Sequence, residues 1–300
     1  MKDLARQFTN LSNPFLKVLK DADTNLVYFS AHLETNERYL PFWQRLEPIL
    51  QSENITYKML EGTKDIWCRD FMPLQVAMNE FIQFRYTPDY CDDSAWEHTV
   101  TKPVDLKLDP RFRIQNSDLI LDGGNVVRYN GKVILTDKVL KDNPGFSKSD
   151  MIELLKELLR AEEIFIIPQQ PYDMTGHADG MVRFLNDRTM LVSDYQNESI
   201  SWKKKYAAAL NNTKLNVIDF PTVVLDEKNE YGDYTARGCY INFAQVGNTI
   251  LLPFFDLPED QLALKELVKL YPNQKIIHVE SNEIAQDGGV LNCITWNIKR

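Results

Sequence analysis

The sequence predicts an α/β fold of about five repeated units, each an antiparallel hairpin, a helix and a short strand, set in a five-fold pseudosymmetric ring. Three observations predict it. Apolar runs broken by a turn dipeptide recur at irregular intervals of roughly 50 to 60 residues. Between them lie stretches with helical apolar stripes, each followed by a short apolar strand. No Pro/Gly/Ser-rich linker or low-complexity tract divides the 300 residues, so residues 1–300 read as one domain with a large core.

In chain order, an apolar strand is expected at 25–30. Residues 35–51 carry Tyr39, Phe42, Trp43, Leu46, Ile49 and Leu50 on one helical face, and a strand at 56–60 follows. Segment 71–84, F-M-P-L-Q-V-A-M-N-E-F-I-Q-F, is a weak hairpin turning at Asn79-Glu80. Residues 86–109 are polar and lack helical period, and a long loop of this kind is more often functional than idle. Segment 124–137 is a hairpin turning at Asn130-Gly131. Ser147 and Asp150 start a helix like a capping box, with Met151, Leu154, Leu155, Leu158 and Leu159 as its stripe and a strand at 164–167 after it.

The hairpin 180–194 turns at Asn186-Asp187 and precedes a helix at 199–210 and a strand at 216–220. The hairpin 240–255 turns at Gly247-Asn248. Pro258, Glu259 and Asp260 open a helix whose buried face is Leu264, Leu267, Val268 and Tyr271, and the strand 275–279 follows. Residues 289–296, G-V-L-N-C-I-T-W, look like a fifth first strand. Its missing partner is expected to be 25–30, which would close the ring by joining the two ends of the chain.

The bulk composition is 44% hydrophobic and 26% charged, ordinary for a soluble globular protein. A net charge of −9 disfavours a nucleic-acid partner, because there is no basic stripe to release counterions, and suits a cationic substrate. The first ten residues hold no apolar signal segment, and no apolar run is long enough to span a bilayer. Cys68, Cys91, Cys239 and Cys293 lie far apart with no C-x-x-C pair, which reads as reduced thiols in a cytoplasmic protein and neither a disulfide framework nor a zinc site.

The chemistry centres on 173–184, D-M-T-G-H-A-D-G-M-V-R-F. If extended, it projects His177 and Asp179 from one face, and the flanking glycines leave room for a ligand. A purely structural His–Asp pair is the competing reading. In a ring, the first hairpin strand of each unit lies nearest the axis. Asp70, then Asp122 and Asn125, then His177 and Asp179, then Arg237 and Asn242, then Cys293 all fall at or beside that strand. Convergence on one axial pocket accounts for them together.

Cys293 and His177 make a nucleophile and a proton carrier. Asp70 and Asp179 repel one another unless a cation lies between them, and a planar guanidinium fits, with forked N–H groups that pair with carboxylates. Cys68, two residues before Asp70, is the rival nucleophile. His32, His98 and His278 have no motif around them, and Arg69 and Arg183 read as braces between strands.

W-C-R-D (67–70), D-G-G-N (122–125), T-G-H-A-D-G-M-V-R-F (175–184) and G-G-V-L-N-C-I-T (288–295) together resemble the agmatine deiminase and Porphyromonas-type peptidyl-arginine deiminase family of guanidine-modifying enzymes. The resemblance implies the five-bladed α/β-propeller called a pentein, a covalent amidino-thioether on Cys293, and no cofactor or metal. It implies that Asp70 and Asp179 hold the guanidinium while His177 is general acid and base. Trp67, Asp122, Asn125, Arg237, Asn242 and Asn292 are the expected substrate-binding residues. The expected reaction is agmatine to N-carbamoylputrescine and ammonia, in a chain able to form a homo-oligomer and without a membrane or nucleic-acid partner.

Two departures stand out. Asn292 occupies the place where the family often has His, and 86–96 reads Y-T-P-D-Y-C-D-D-S-A-W in place of an aromatic, glycine-rich segment. Asp89, Asp92 and Asp93 in that loop are expected to favour an amine-tailed substrate, whereas an α-carboxylate would call for a cation such as Arg237. Alternatives are deimination of free or peptidyl arginine, amidino transfer to an amine, a non-catalytic guanidine or polyamine binder, and a metal site at His177, Asp179 and Cys293.

Overall fold

The computed structural model describes residues 19–88, 97–171, 173–195 and 197–300. β1 (Leu26–Ser30) is followed by α1 (His32–Thr35), α2 (Leu40–Ser52), β2 (Tyr57–Leu60) and α3 (Cys68–Phe71). The hairpin β3 (Leu74–Ala77) and β4 (Glu80–Arg85) leads to β5 (Arg113–Ile120). β6 (Val127–Tyr129), β7 (Lys132–Thr136), α4 (Lys138–Asp142), α5 (Lys148–Leu159) and β8 (Glu163–Ile167) come next. Then follow β9 (Val182–Asn186), β10 (Thr189–Ser193), α6 (Ile200–Asn212) and β11 (Asn216–Phe220). The chain continues through β12 (Ala244–Val246), β13 (Thr249–Phe254), α7 (Asp260–Leu270), β14 (Lys275–Glu280), α8 (Asn282–Ala285) and β15 (Trp296–Ile298).

Among the described residues these strands form five three-stranded sheets, ordered β15-β1-β2, β3-β4-β5, β6-β7-β8, β9-β10-β11 and β12-β13-β14. In each, the middle strand runs antiparallel to one neighbour and parallel to the other. An antiparallel pair needs only a tight turn, whereas a parallel pair needs a crossover, and helices supply most of these crossovers. In the first sheet, Leu26 lies opposite Ile298 and Tyr28 opposite Trp296, so strands from distant parts of the chain pair as expected.

Helix boundaries follow local chemistry. The helix expected at 35–51 starts at Leu40, with Pro41 in its first turn, where a missing N–H costs nothing. Its Phe42, Trp43, Leu46 and Leu50 are fully or nearly fully buried against Val27 and Phe29 of β1 and residues of β13. Each such side chain contributes about 1.5–3 kcal/mol by leaving water. Ser147 caps α5 by accepting from the Asp150 amide at 3.2 Å, as its sequence predicts.

Several expectations need correction. Residues 173–181 are irregular and β9 begins only at Val182, so His177 and Asp179 do not share a strand face. The fifth first strand is Trp296–Ile298, and 291–294 is a run of turns that carries Cys293. No α-helix lies between β4 and β5 among the described residues, and β5 carries no apolar signal in the sequence because its R-I-Q-N-S-D-L-I run is mostly solvent-facing. Two hairpin turns sit one residue from the expected place, at Met78-Asn79 and Asp187-Arg188. Val268 is 51% exposed, on the outer face of α7.

These corrections share a pattern. In every unit the chemically interesting residues lie in the irregular segment just before the first strand, as α3 precedes β3 and the 122–125 turn precedes β6. Irregular backbone can aim side chains inward at angles that a pleated strand forbids.

Candidate active site

A cavity of about 760 Å³ is lined by Trp67, Asp70, Asp122, His177, Asp179, Asn242 and Cys293, among other residues. Two glycines let these segments meet. A Cβ on Gly123 would stand 1.9 Å from the Arg69 carbonyl oxygen, and one on Gly124 would stand 2.6 Å from Asp70 Oδ1 and 2.7 Å from His177 Nδ1. Gly124 N–H instead donates to Asp70 Oδ1 at 2.9 Å, and the Gly124 carbonyl accepts from the Asp179 amide at 3.1 Å. One residue thus binds the Asp70 carboxylate and the backbone that carries Asp179.

His177 lies between two of the carboxylates. Its Nε2 is 3.0 Å from Asp122 Oδ2 and its Nδ1 is 3.5 Å from Asp70 Oδ1. Burial works against a charged imidazole, but Asp70, Asp122 and Asp179 outweigh it and hold the pKa at about 10. At neutral pH the ring is an imidazolium with both N–H groups directed at acids. Burial pushes the Asp70 carboxyl up to about 7; the charges of Asp122 and Asp179 add to this, and the His177 charge and the Gly124 hydrogen bond oppose it. Asp122 Oδ1 is buried with no hydrogen-bond partner.

Cys293 Sγ is 3.4 Å from Asn242 Oδ1 and 3.7 Å from Asp179 Oδ2. Burial raises the thiol well above its ordinary range, and the charges of Asp179 and Asp70 raise it further. The thiol is therefore held protonated by these surroundings. It needs a cation beside it to become a nucleophile.

The expected site residues separate into three positions. Asp70, Asp122, His177, Asp179, Asn242 and Cys293 come together in the cavity, and Trp67 forms its wall, pressed so close to Gly289 that a Cβ there would lie 2.4 Å from the indole. Asn125 and Asn292 stand outside the lining of this cavity, so neither is placed to touch a substrate. Asn125 Oδ1 accepts from the Thr136 amide at 2.8 Å and braces β7. Asn292 Nδ2 donates to Asp179 Oδ2 at 2.7 Å, while its Oδ1 accepts from Arg69 Nη2 at 3.1 Å.

Arg237 borders the cavity, but its donors are taken. Nη1 reaches both Glu227 oxygens at 2.9 and 2.7 Å, Nη2 donates to the Phe255 carbonyl, and Nε donates to Asn282. It is not free to receive an α-carboxylate. Cys68 is fully buried among Leu26, Phe71 and Trp296, away from the cavity, and Arg69 and Arg183 hold strands and turns together by hydrogen bonds.

Asp89, Asp92 and Asp93 lie outside the described residues, as does Cys91. The cavity lining also carries acids that the sequence did not single out, among them Asp173, Glu198, Asp226 and Asp233. They sit in segments with no apolar period, and only their charge could have marked them. No group of three or more His, Cys, Asp or Glu suited to a metal occurs among the described residues, and no helix there is long and apolar enough to cross a membrane.

With this geometry in place, comparison with known proteins is informative. The sequence model of the Porphyromonas-type peptidyl-arginine deiminase family matches residues 13–298. The agmatine deiminase of Pseudomonas aeruginosa (strain LESB58) is 26% identical over 220 residues, covering 63% of this chain and 60% of that protein. The chain thus matches somewhat under two-thirds of the length of such relatives. The structure of C. jejuni agmatine deiminase superposes with a TM-score of 0.71 at 19% identity, over 95% of this chain and 96% of that one. DDAH from Pseudomonas aeruginosa shares the fold more distantly, with a TM-score of 0.54 at 11% identity over 92% and 99% of the two chains.

Proposed function

Because the chain belongs to the Porphyromonas-type peptidyl-arginine deiminase family, we propose that it is a cysteine-dependent deiminase that hydrolyses a guanidine, with agmatine as the preferred substrate. The observation that carries this reading is the cluster itself: a buried thiol, an imidazolium and three carboxylates facing one cavity, where, among the described residues, His177 is the cation in contact with Asp70 and Asp122. Such a site favours a planar cation whose N–H groups can satisfy Asp70 and Asp179.

The proposed reaction follows from the charges. The bound guanidinium offsets the carboxylates, and Cys293 releases its proton to solvent. The thiolate adds to the guanidinium carbon, forming a C–S bond. The imidazolium donates its proton to one nitrogen, the C–N bond breaks, ammonia leaves, and an amidino-thioether remains on Cys293. The now neutral His177 takes a proton from water as the oxygen attacks the same carbon. As the hydroxyl releases its remaining proton to solvent, collapse breaks the C–S bond, frees the thiolate and leaves the ureido product. Asp122 keeps the imidazole oriented through its 3.0 Å contact with Nε2.

For the substrate's other end, Asp173, Glu198, Asp226 and Asp233 suit an ammonium, while Arg237 is occupied by Glu227. We read the five sheets as blades of one closed pentein ring forming a single domain, in a cytoplasmic protein. The test is direct: incubation with agmatine, free arginine and an arginyl peptide, measuring ammonia and the ureido product. Agmatine should be turned over fastest. Equal or faster turnover of arginine or the peptide would overturn the tail assignment, and no ammonia from any guanidine would overturn the deiminase reading.

A further inference from the structure

A second cavity, of about 170 Å³, shares Asp179 with the first and is bounded by Asn292. It is built by repetition. The second residue of each first strand is polar: Gln75 in β3, Arg128 in β6, Arg183 in β9, Gln245 in β12 and Asn297 in β15. Arg128, Arg183 and Gln245 line the cavity, Asn297 Nδ2 donates to the Gln245 carbonyl at 3.0 Å, and the Gln75 carbonyl accepts from Arg128 Nη1. A position that is polar in every unit, buried in four and half-buried at Arg128, marks a cavity to be filled with something polar.

The charges there do not pair off. Arg69, Arg128 and Arg183 all line the cavity. Asp21 enters it and meets Arg183 Nη2 at 2.7 Å and Asn297 Nδ2 at 3.2 Å. Among the described residues neither Arg69 nor Arg128 forms an ion pair, and the hydrogen bonding of Arg128 is limited to Nη1 on the Gln75 carbonyl. Its other N–H groups have no acceptor among those residues. Asp179, the other carboxylate on the wall, already accepts from Asn292 and faces Cys293. Three guanidiniums thus share the Asp21 charge; Arg69 is buried, Arg128 is half-buried, and the two repel one another, so an anion between them offsets that repulsion.

We propose that this cavity is a binding site for a small inorganic anion of halide to nitrate size, held by Arg128 and Arg69 beside the Asp21 carboxylate. The volume admits such an ion with a few waters. The site stands independently of the reaction assigned to the larger cavity.

The experiment uses the full-length protein. Melting temperature is followed in sodium bromide and in sodium gluconate at matched ionic strength, and crystals soaked in bromide are examined for anomalous density. A saturable rise with bromide alone is expected, with a peak among Arg69, Arg128 and Arg183. Arg128→Gln removes one charge-assisted partner and should weaken half-saturation about tenfold. Parallel, unsaturating responses to the two salts would overturn the proposal. So would saturable binding with the peak elsewhere, or a peak without stabilisation, which would be an adventitious ion only. Should Arg128→Gln fail to fold, the wild-type titration and the anomalous peak decide the matter.

Discussion

Asn292→Ala is the sharpest perturbation of the proposed active site that leaves the reacting groups in place. It removes the 2.7 Å donation to Asp179 Oδ2 and takes one acceptor from Arg69 Nη2. The backbone amide of residue 292 still donates to Asn242 Oδ1 at 3.1 Å, and Arg69 keeps Thr295 and Asn297 as acceptors, so the turn that carries Cys293 stays anchored. A hydrogen bond to a charged group contributes about 1.5–3 kcal/mol. If Asp179 grips the guanidinium in the transition state, kcat/KM for agmatine should fall roughly 10- to 150-fold. Ammonia release gives the kinetics, and circular dichroism shows whether the fold persists. Asn292→His can donate from one ring nitrogen and accept on the other, so it should recover much of the loss. A folded Asn292→Ala protein within about threefold of wild type would refute this role for Asn292.

Other outcomes can be stated briefly. Cys293→Ser should abolish ammonia release with the fold intact, whereas Cys68→Ser should retain it, because Cys68 is fully buried in the core away from the cavity; the opposite result would move the nucleophile. Gly124→Ala drives a methyl into Asp70 and His177 and should cost on the order of 100-fold in kcat/KM, as misplacement of reacting groups by about an ångström does; near-normal turnover would show that the segment yields freely. His177 keeps its proton to about pH 10 in the folded protein, against an ordinary 6.5, since its carboxylate neighbours overcome burial. Its stabilisation is complete below about pH 6.5 and is lost as pH rises towards 10. Urea unfolding should therefore show a fall in stability from pH 7 to 10 that is smaller in His177→Gln, and parallel falls in the two proteins would contradict it.

Much of this was legible in the sequence where chemistry is local. Asn130 and Gly131 both adopt positive φ, at 45° and 84°, as the dipeptide between two apolar runs suggested. The apolar stripes of α2, α5 and α7 bury much as their period predicts, Val268 apart. What was illegible is relational. Spacing cannot tell which carboxylate meets an imidazole, and the Asp122–His177 contact joins residues from two different units. Residue type and motif point to Asn125 and Asn292 as binding groups, yet a buried amide serves equally well as a brace, and only the packed fold separates the two roles. β5 escaped because a strand with one neighbour and a wet face need not alternate apolar and polar residues.

The pairing of β1 with β15 has a consequence for how the protein comes into being. Leu26 lies opposite Ile298, so this sheet joins segments separated by nearly the whole described chain. Closing so long a loop is entropically slow, and sheets made of such distant partners form late. Cys293 stands three residues ahead of β15, and Arg69 donates from its amide to the Cys293 carbonyl at 3.0 Å. The thiol thus enters its cavity only after early and late portions of the chain have found each other. A half-made chain would carry the imidazole and the acids without Cys293, the proposed nucleophile, which would arrive only with the last strand to dock.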